Sequence, residues 1–277
     1  MKKYFITSIL LFVLVVSQAQ HQLVKLWETD STLKVPESVF FDGKNKVLYV
    51  TNIDGKEPWG KDGKGSVGKV GLDGKIIAVD WVTGLNAPKG MGLFKNKLYV
   101  ADLTELVVID IIRGMIIERI AVKDAVGLND VSVDQNGVVY VSDSRGRKVY
   151  EIENNKPVVL LDSNKLKGPN GVLRHKGILY VLDAGTMYRM EKDKSLTKIA
   201  EGMEGGTDGI ENITANEFIV STWGGVVYYV SGDGTKQVLL DGREQKINSA
   251  DIGYDAVKRI VYVPTFWRNS VVAYELK

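Results

Sequence analysis

Six residues, Glu37, Lys89, Asn129, Asn170, Asp208 and Ala250, recur along the chain at intervals of roughly 40 residues. Each is the second residue of a short motif: Pro36-Glu37-Ser38-Val39, Pro88-Lys89-Gly90-Met91, Leu128-Asn129-Asp130-Val131, Pro169-Asn170-Gly171-Val172, Thr207-Asp208-Gly209-Ile210 and Ser249-Ala250-Asp251-Ile252. Two carboxylates and two carboxamides are oxygen donors. Such a set suits a hard divalent cation, above all Ca²⁺, which takes about six to eight oxygens. Zinc is disfavoured, because the set holds neither Cys nor His. Two carboxylates leave a divalent ion close to neutral, and an exposed ion polarises a carbonyl or acidifies a water. Lys89 points the other way. An ammonium in the same set can pair with Glu37 or Asp208 and repel a cation, and a wet channel satisfies polar side chains without any metal.

The elements that position these residues are repeats. An apolar landmark recurs as Leu48-Tyr49-Val50, Leu98-Tyr99-Val100, Val139-Tyr140-Val141, Leu179-Tyr180-Val181, Phe218-Ile219-Val220 and Val261-Tyr262-Val263. The segments are rich in Val, Ile and Tyr and alternate with period two, which excludes a helical repeat. Asp42-Gly43, Asp73-Gly74, Asn136-Gly137 and Asp233-Gly234 supply tight turns between them. The period fits a four-stranded propeller blade, so the chain reads as an all-β, six-bladed β-propeller. In blade 3 the strands fall at Asn129–Asp134, Val138–Ser142, Lys148–Ile152 and Pro157–Leu161. The last repeat has only three strands. The segment Gln22–Glu28 is expected to supply the fourth and hide an open sheet edge. Innermost strands line the central channel, so the six recurring side chains form one ring.

The same geometry brings the loop between second and third strands of each blade to the ring's face. Blade 1 has a long Gly-rich insertion from Asn52 to Gly65 carrying Trp59; blade 5 has Trp223 and blade 6 has Phe266, Trp267 and Arg268. These residues are candidates to wall a pocket, with Trp59 as a lid, or to pack the rim between blades. Of the two histidines, His21 lies at a frayed terminus and His175 sits in a first turn on the far face, so neither serves as base. A base, where the site has one, is expected to be Asp208 or metal-bound water, with Asp130 the weaker candidate. Asp54, Asp62 and Asp73 do not match an EF-hand spacing and read as turn residues. Asp102, Asp143 and Asp183 repeat after the landmark and read as hydrogen-bonding residues between blades.

The glutamate of Val35-Pro36-Glu37-Ser38-Val39, the Leu128-Asn129-Asp130 step, Pro169-Asn170-Gly171 and Thr207-Asp208-Gly209 resemble the regucalcin/gluconolactonase family of six-bladed propellers. The resemblance covers about Leu26 to Leu276 as a repeat pattern. It implies a divalent ion held by Glu37, Asn170 and Asp208, with Asn129 beside it to hold substrate, and lactone hydrolysis as the chemistry. Two positions depart from the family pattern. Gly127 stands where an arginine often binds the sugar, and Lys89 is an extra cation. Both bear on a gluconolactone substrate and leave the three metal positions untouched. The expectation is therefore a Ca²⁺-dependent hydrolase of lactones or related small esters, with Asp208 catalytic and Asn129, Lys89, Trp59, Trp223 and Trp267 at the substrate. The alternative is a non-catalytic propeller that binds a sugar, peptide or surface ligand on its tryptophan-lined face.

Residues 1–19 read as a signal peptide: Lys2 and Lys3, an apolar run from Ile9 to Val16, then Ser17 and Ala19 before the expected cleavage. Residues 20–277 are then one propeller domain, exported to the periplasm or medium. The 36 Lys and Arg become 34 once Lys2 and Lys3 are removed, against 34 Asp and Glu. That balance argues against nucleic acid or an anionic membrane as partner and leaves a small molecule. With no cysteine, stability rests on the core.

Overall fold

The computed structural model describes residues 20–277. The expected signal peptide lies outside the described residues. Those residues form six four-stranded antiparallel sheets, each in chain order from its inner to its outer strand, apart from the last. In the sixth sheet the outermost strand is Leu23–Glu28, paired with the final strand Val271–Leu276 so that Leu23 faces Leu276. The first strand thus closes the ring and covers an edge that carries unpaired main-chain groups. Trp27 bolts this strand to blade 1: its indole N–H donates to the Leu72 carbonyl (3.1 Å), and its ring meets Tyr262. His21 is not frayed. Its main chain is bonded on both sides to the Gln237 amide, and its ring lies 4.3 Å from that of Tyr229.

The core sits in the seams. Six buried apolar clusters each join two neighbouring blades; Leu106, Val108 and Tyr99 of blade 2 pack with Val131, Val141 and Tyr150 of blade 3. The alternation of the landmark puts Tyr49, Tyr99, Tyr140, Tyr180 and Tyr262 into these seams, all buried.

What positions the ring is a defect repeated in blades 1 to 5. Each inner strand pairs its first residue with the end of the second strand, then loses register before pairing resumes. Leu128 faces Asp143 and Val131 faces Val141, so Asn129 and Asp130 oppose one residue. The same shift leaves out Lys89 and Gly90, Asn170 and Gly171, Asp208 and Gly209, and in blade 1 Glu37 alone. A β-bulge bends the strand and re-aims a side chain. The amide it strands is satisfied by a hydroxyl in alternate blades: Ser38 N donates to Thr51 Oγ1 (2.9 Å), Asp130 N to Ser142 Oγ (2.9 Å) and Gly209 N to Ser221 Oγ (2.8 Å).

Blade 6 differs from the expected pattern. Ser249–Ile252 does not begin its inner strand, which runs only from Gly253 to Asp255. Pro264 follows on the second strand and offers no N–H to extend the pairing. Asp251 bonds to blade 1 instead, donating its N–H to the Glu37 carbonyl (2.9 Å) and accepting from Val39 N (3.2 Å).

Two outcomes follow from this architecture. Ser142→Ala strands the buried Asp130 amide and should cost about 1–3 kcal/mol, read by urea denaturation. Removal of residues 20–28 bares the Val271–Leu276 edge, so the shortened protein should melt at lower temperature and self-associate on size-exclusion chromatography.

Candidate functional site

One end of the channel opens into a cavity of about 300 Å³. Its lining brings together Glu37, Lys89, Asn129, Asn170 and Asp208 from five inner strands with Trp59 and Trp223 from the two loops. Pro58, Gly206 and Phe266 complete the wall. Two expected members are elsewhere. Ala250 is fully buried and packs with Ile53, Ala87 and Phe266. Trp267 does not line the cavity; it stands 44 % exposed, edge-on to Phe266 with ring centres 4.7 Å apart, and Phe266 faces the pocket in its place.

The floor is buried and acidic. Burial pushes the Glu37 carboxyl up to about 7, opposed by the positive charge of Lys89 and assisted by the negative charge of Asp130. Asp208 is held well above the ordinary carboxylate range, first by burial and then by Glu37 and Asp130. Asn170 steadies it, its Nδ2 donating to Asp208 Oδ1 (2.9 Å). Burial lowers the Lys89 ammonium, against the pull of Glu37 and Asp208. Lys89 does not bond to either carboxylate. Its Nζ donates to the carbonyls of Pro58 (2.7 Å) and Ala87 (3.3 Å) and lies 4.8 Å from the centre of the Trp59 ring. The lysine thereby ties the blade 1 insertion across the mouth.

Two buried oxygens at this floor have no donor, Glu37 Oε2 and Asn170 Oδ1. A buried acceptor left unpaired is costly, so such atoms call for a water or a cation. The oxygen set Glu37, Asn170 and Asp208 therefore fits a hard divalent ion. It does so through an amide, since among the described residues no three His, Cys, Asp or Glu side chains come together as metal ligands. Asn129 is turned aside: its Nδ2 donates to Ser144 Oγ (3.0 Å), which in turn donates to the Pro169 carbonyl (2.6 Å).

The other aspartates found near the landmarks hold connectors. Asp102 accepts from the amides of Asn86 and Ala87, Asp143 from Val126 and Gly127, and Asp183 from Lys167 and Gly168. Each clamps the segment that enters its own blade. Asp62 and Asp73 accept from amides two residues on, as turn residues do, and Asp54 pairs with Lys34. Asp130 is committed to the amides of Val131 and Val172 (both 2.7 Å) and faces the other half of the channel.

That far half is a second cavity, about 190 Å³, which sequence reasoning missed. Asp130, Arg174, Glu211 and Asp251 line it together. Glu211 sits three residues after Asp208, at the position that Phe40, Gly92, Ser132 and Leu173 take in blades 1 to 4, so no recurring chemistry marks it in the sequence. Burial, with the charge of Asp130 behind it, raises the Glu211 carboxyl to about 8. Its folded value lies above its unfolded value, so its ionisation weakens the fold as pH rises from about 4.5 to 8. Glu211→Gln removes that loss. The melting-temperature gain of the variant over the wild type should be small at pH 5, grow to pH 8 and then level off.

Compared with known proteins, the chain matches no family model and no curated protein. Its fold is similar to a streptogramin B lyase, with TM-score 0.66, 11% identity, and coverage of 93% of this chain and 98% of that one. A catalytically inactive histidine-to-alanine variant of virginiamycin B lyase from Staphylococcus aureus, with quinupristin, aligns with TM-score 0.64 and 11% identity over 93% and 99% of the two chains. A nidogen–laminin complex aligns with TM-score 0.62 and 17% identity over 79% and 84%. At these identities the likeness is one of fold: the chain is a six-bladed β-propeller with four antiparallel strands per blade.

Proposed function

We propose that the channel-mouth cavity is the site of a divalent-cation-dependent hydrolase, acting on lactones or related small esters in the manner of the regucalcin/gluconolactonase family. The observation that carries this reading is the pair of buried oxygens without donors, Glu37 Oε2 and Asn170 Oδ1, beside Asp208. Glu37, Asn170 and Asp208 would hold the ion, and Ca²⁺ suits an all-oxygen set best. When bound, such an ion supplies charge that polarises an ester carbonyl and makes water more acidic. The chain's own groups do the rest. Asn170 fixes Asp208 through Oδ1, which leaves Oδ2 to accept a proton from an attacking water. Trp59, Trp223 and Phe266 give an apolar wall for the substrate ring and limit its size. Lyase chemistry resting on a histidine has less support here, because His21 and His175 both lie outside the cavity.

A second reading is a binding module without chemistry. It is favoured by Lys89, whose charge sits among the carboxylates and offsets them without any ion. Calorimetric titration separates the two. Ca²⁺ should bind the wild type and raise its melting temperature, and Asp208→Asn and Glu37→Gln should each lose the binding heat. A panel of small lactones should be hydrolysed with Ca²⁺ and spared in the presence of chelator. Full lactonase activity in Asp208→Ala would end this mechanism.

A further inference from the structure

Beside Trp59, which lines that cavity, stands a cation without an ion-pair partner among the described residues. Arg145 occupies the turn between the second and third strands of blade 3 and is exposed, and among the described residues its guanidinium makes no hydrogen bond or ion pair. Its placement is nevertheless built. Asp143 Oδ1 accepts from Gly127 N and Gly146 N (both 2.8 Å), Oδ2 accepts from Val126 N (3.0 Å), and Ser144 N donates to the Gly127 carbonyl (3.0 Å). These bonds lock the turn to the connector that enters the blade. Ser144, the residue before Arg145, is the one that holds Asn129.

Gly127 makes the arrangement possible. A Cβ there would fall 2.8 Å from Arg145 Cδ, 2.9 Å from Arg145 Cγ and 2.8 Å from Trp59 Cζ3. The arginine stem and the lid tryptophan both lie against this bare stretch of backbone. The guanidinium carbon is 5.7 Å from the centre of the Trp59 ring, which orients the planar fork and leaves its N–H donors unused. Among the described residues Lys89 is the cation that lines the cavity, and its ammonium donates to two carbonyls. The site therefore has an acidic floor and, next to the Trp59 of its wall, a guanidinium without a partner among the described residues.

We propose that Arg145 determines specificity by binding a carboxylate that the substrate carries away from its reactive carbonyl. A planar fork with free donors recognises a carboxylate through two parallel hydrogen bonds, and an indole behind it keeps the fork from collapsing into solvent. This deepens the hydrolase reading, on which its name for the substrate class rests: a small lactone or ester bearing a second, anionic group.

The test uses binding first, so that it does not depend on turnover. Calorimetry in Ca²⁺ compares pyroglutamate, a five-membered lactam with a ring carboxylate, with its primary amide. The wild type should bind the carboxylate roughly tenfold or more tightly than the amide. Arg145→Gln should bind both alike, and Arg145→Lys should recover only part of the preference, because an ammonium lacks the fork. With the lactone analogue of pyroglutamate and unsubstituted butyrolactone as substrates, the KM ratio between the two should collapse in Arg145→Gln while kcat on the charged lactone holds. Equal binding of both lactams by the wild type, a preference that survives Arg145→Gln, or failure to bind either lactam overturns the proposal. A carboxylate preference that depends on Arg145, with no lactone hydrolysed, sustains the role of Arg145 and overturns the hydrolase reading alone.

Discussion

The bulge at the head of each inner strand is the constraint on which the rest of the molecule depends. A regular strand would send alternate side chains into the seams on either side. Skipping one pairing step turns Glu37, Lys89, Asn129, Asn170 and Asp208 toward the axis and strands an amide beside each. Thr51, Ser142 and Ser221 take up that amide in blades 1, 3 and 5. The blades must also approach closely enough for the five side chains to share one floor. Gly171 shows how tight this is, since a Cβ there would collide with the Asp208 carbonyl of the next blade. Site geometry and blade packing are thus one feature of the chain.

The electrostatics follow from that crowding. Carboxylates brought together in a buried space disfavour their own charge, and at Glu37 and Asp208 burial and mutual repulsion, which favour protons, are opposed by the charge of Lys89. The chain has placed its ammonium so that its hydrogen bonds serve the blade 1 insertion rather than the acids. Lys89 adds positive potential to the floor through space, while its hydrogen bonds go to Pro58 and Ala87. The three carboxylates farther in are handled differently according to their bonds: Asp130 is tied to two amides and Asp251 to Ser38, whereas Glu211 faces the inner cavity without such ties.

Much of this was legible in the residues. The period of the landmark, its Val and Tyr content and the three-stranded last repeat predict six blades and the closing strand, because strand alternation and edge pairing are local rules. Five of the six ring positions were legible for the same reason, being fixed relative to the landmark, whereas Ala250 packs away from the cavity. What was not legible depends on contacts across blades. Pro264 halts the inner strand of blade 6 and hands Asp251 to blade 1, which no repeat alignment shows. Trp267 and Phe266 are neighbours, and which of them faces the cavity is set by a short 3-10 turn. The frayed end expected at His21 is instead packed on Tyr229 and Gln237, partners more than two hundred residues away in sequence. Arg145 carried no signal of its own, since its role appears only when Gly127 and Trp59 are seen beneath it.

The shared sixth blade also sets an order in time. Five blades are made of consecutive strands and can form as soon as their residues are available, each seam adding to the last. The sixth joins Leu23 to Leu276, so its first strand has no partner until the final residues of the chain arrive. Bringing those two ends together is the longest-range contact the molecule makes, and long-range pairings form slowly. Until it forms, two sheet edges stay open and the cavity lacks the blade that brings Phe266 to its wall.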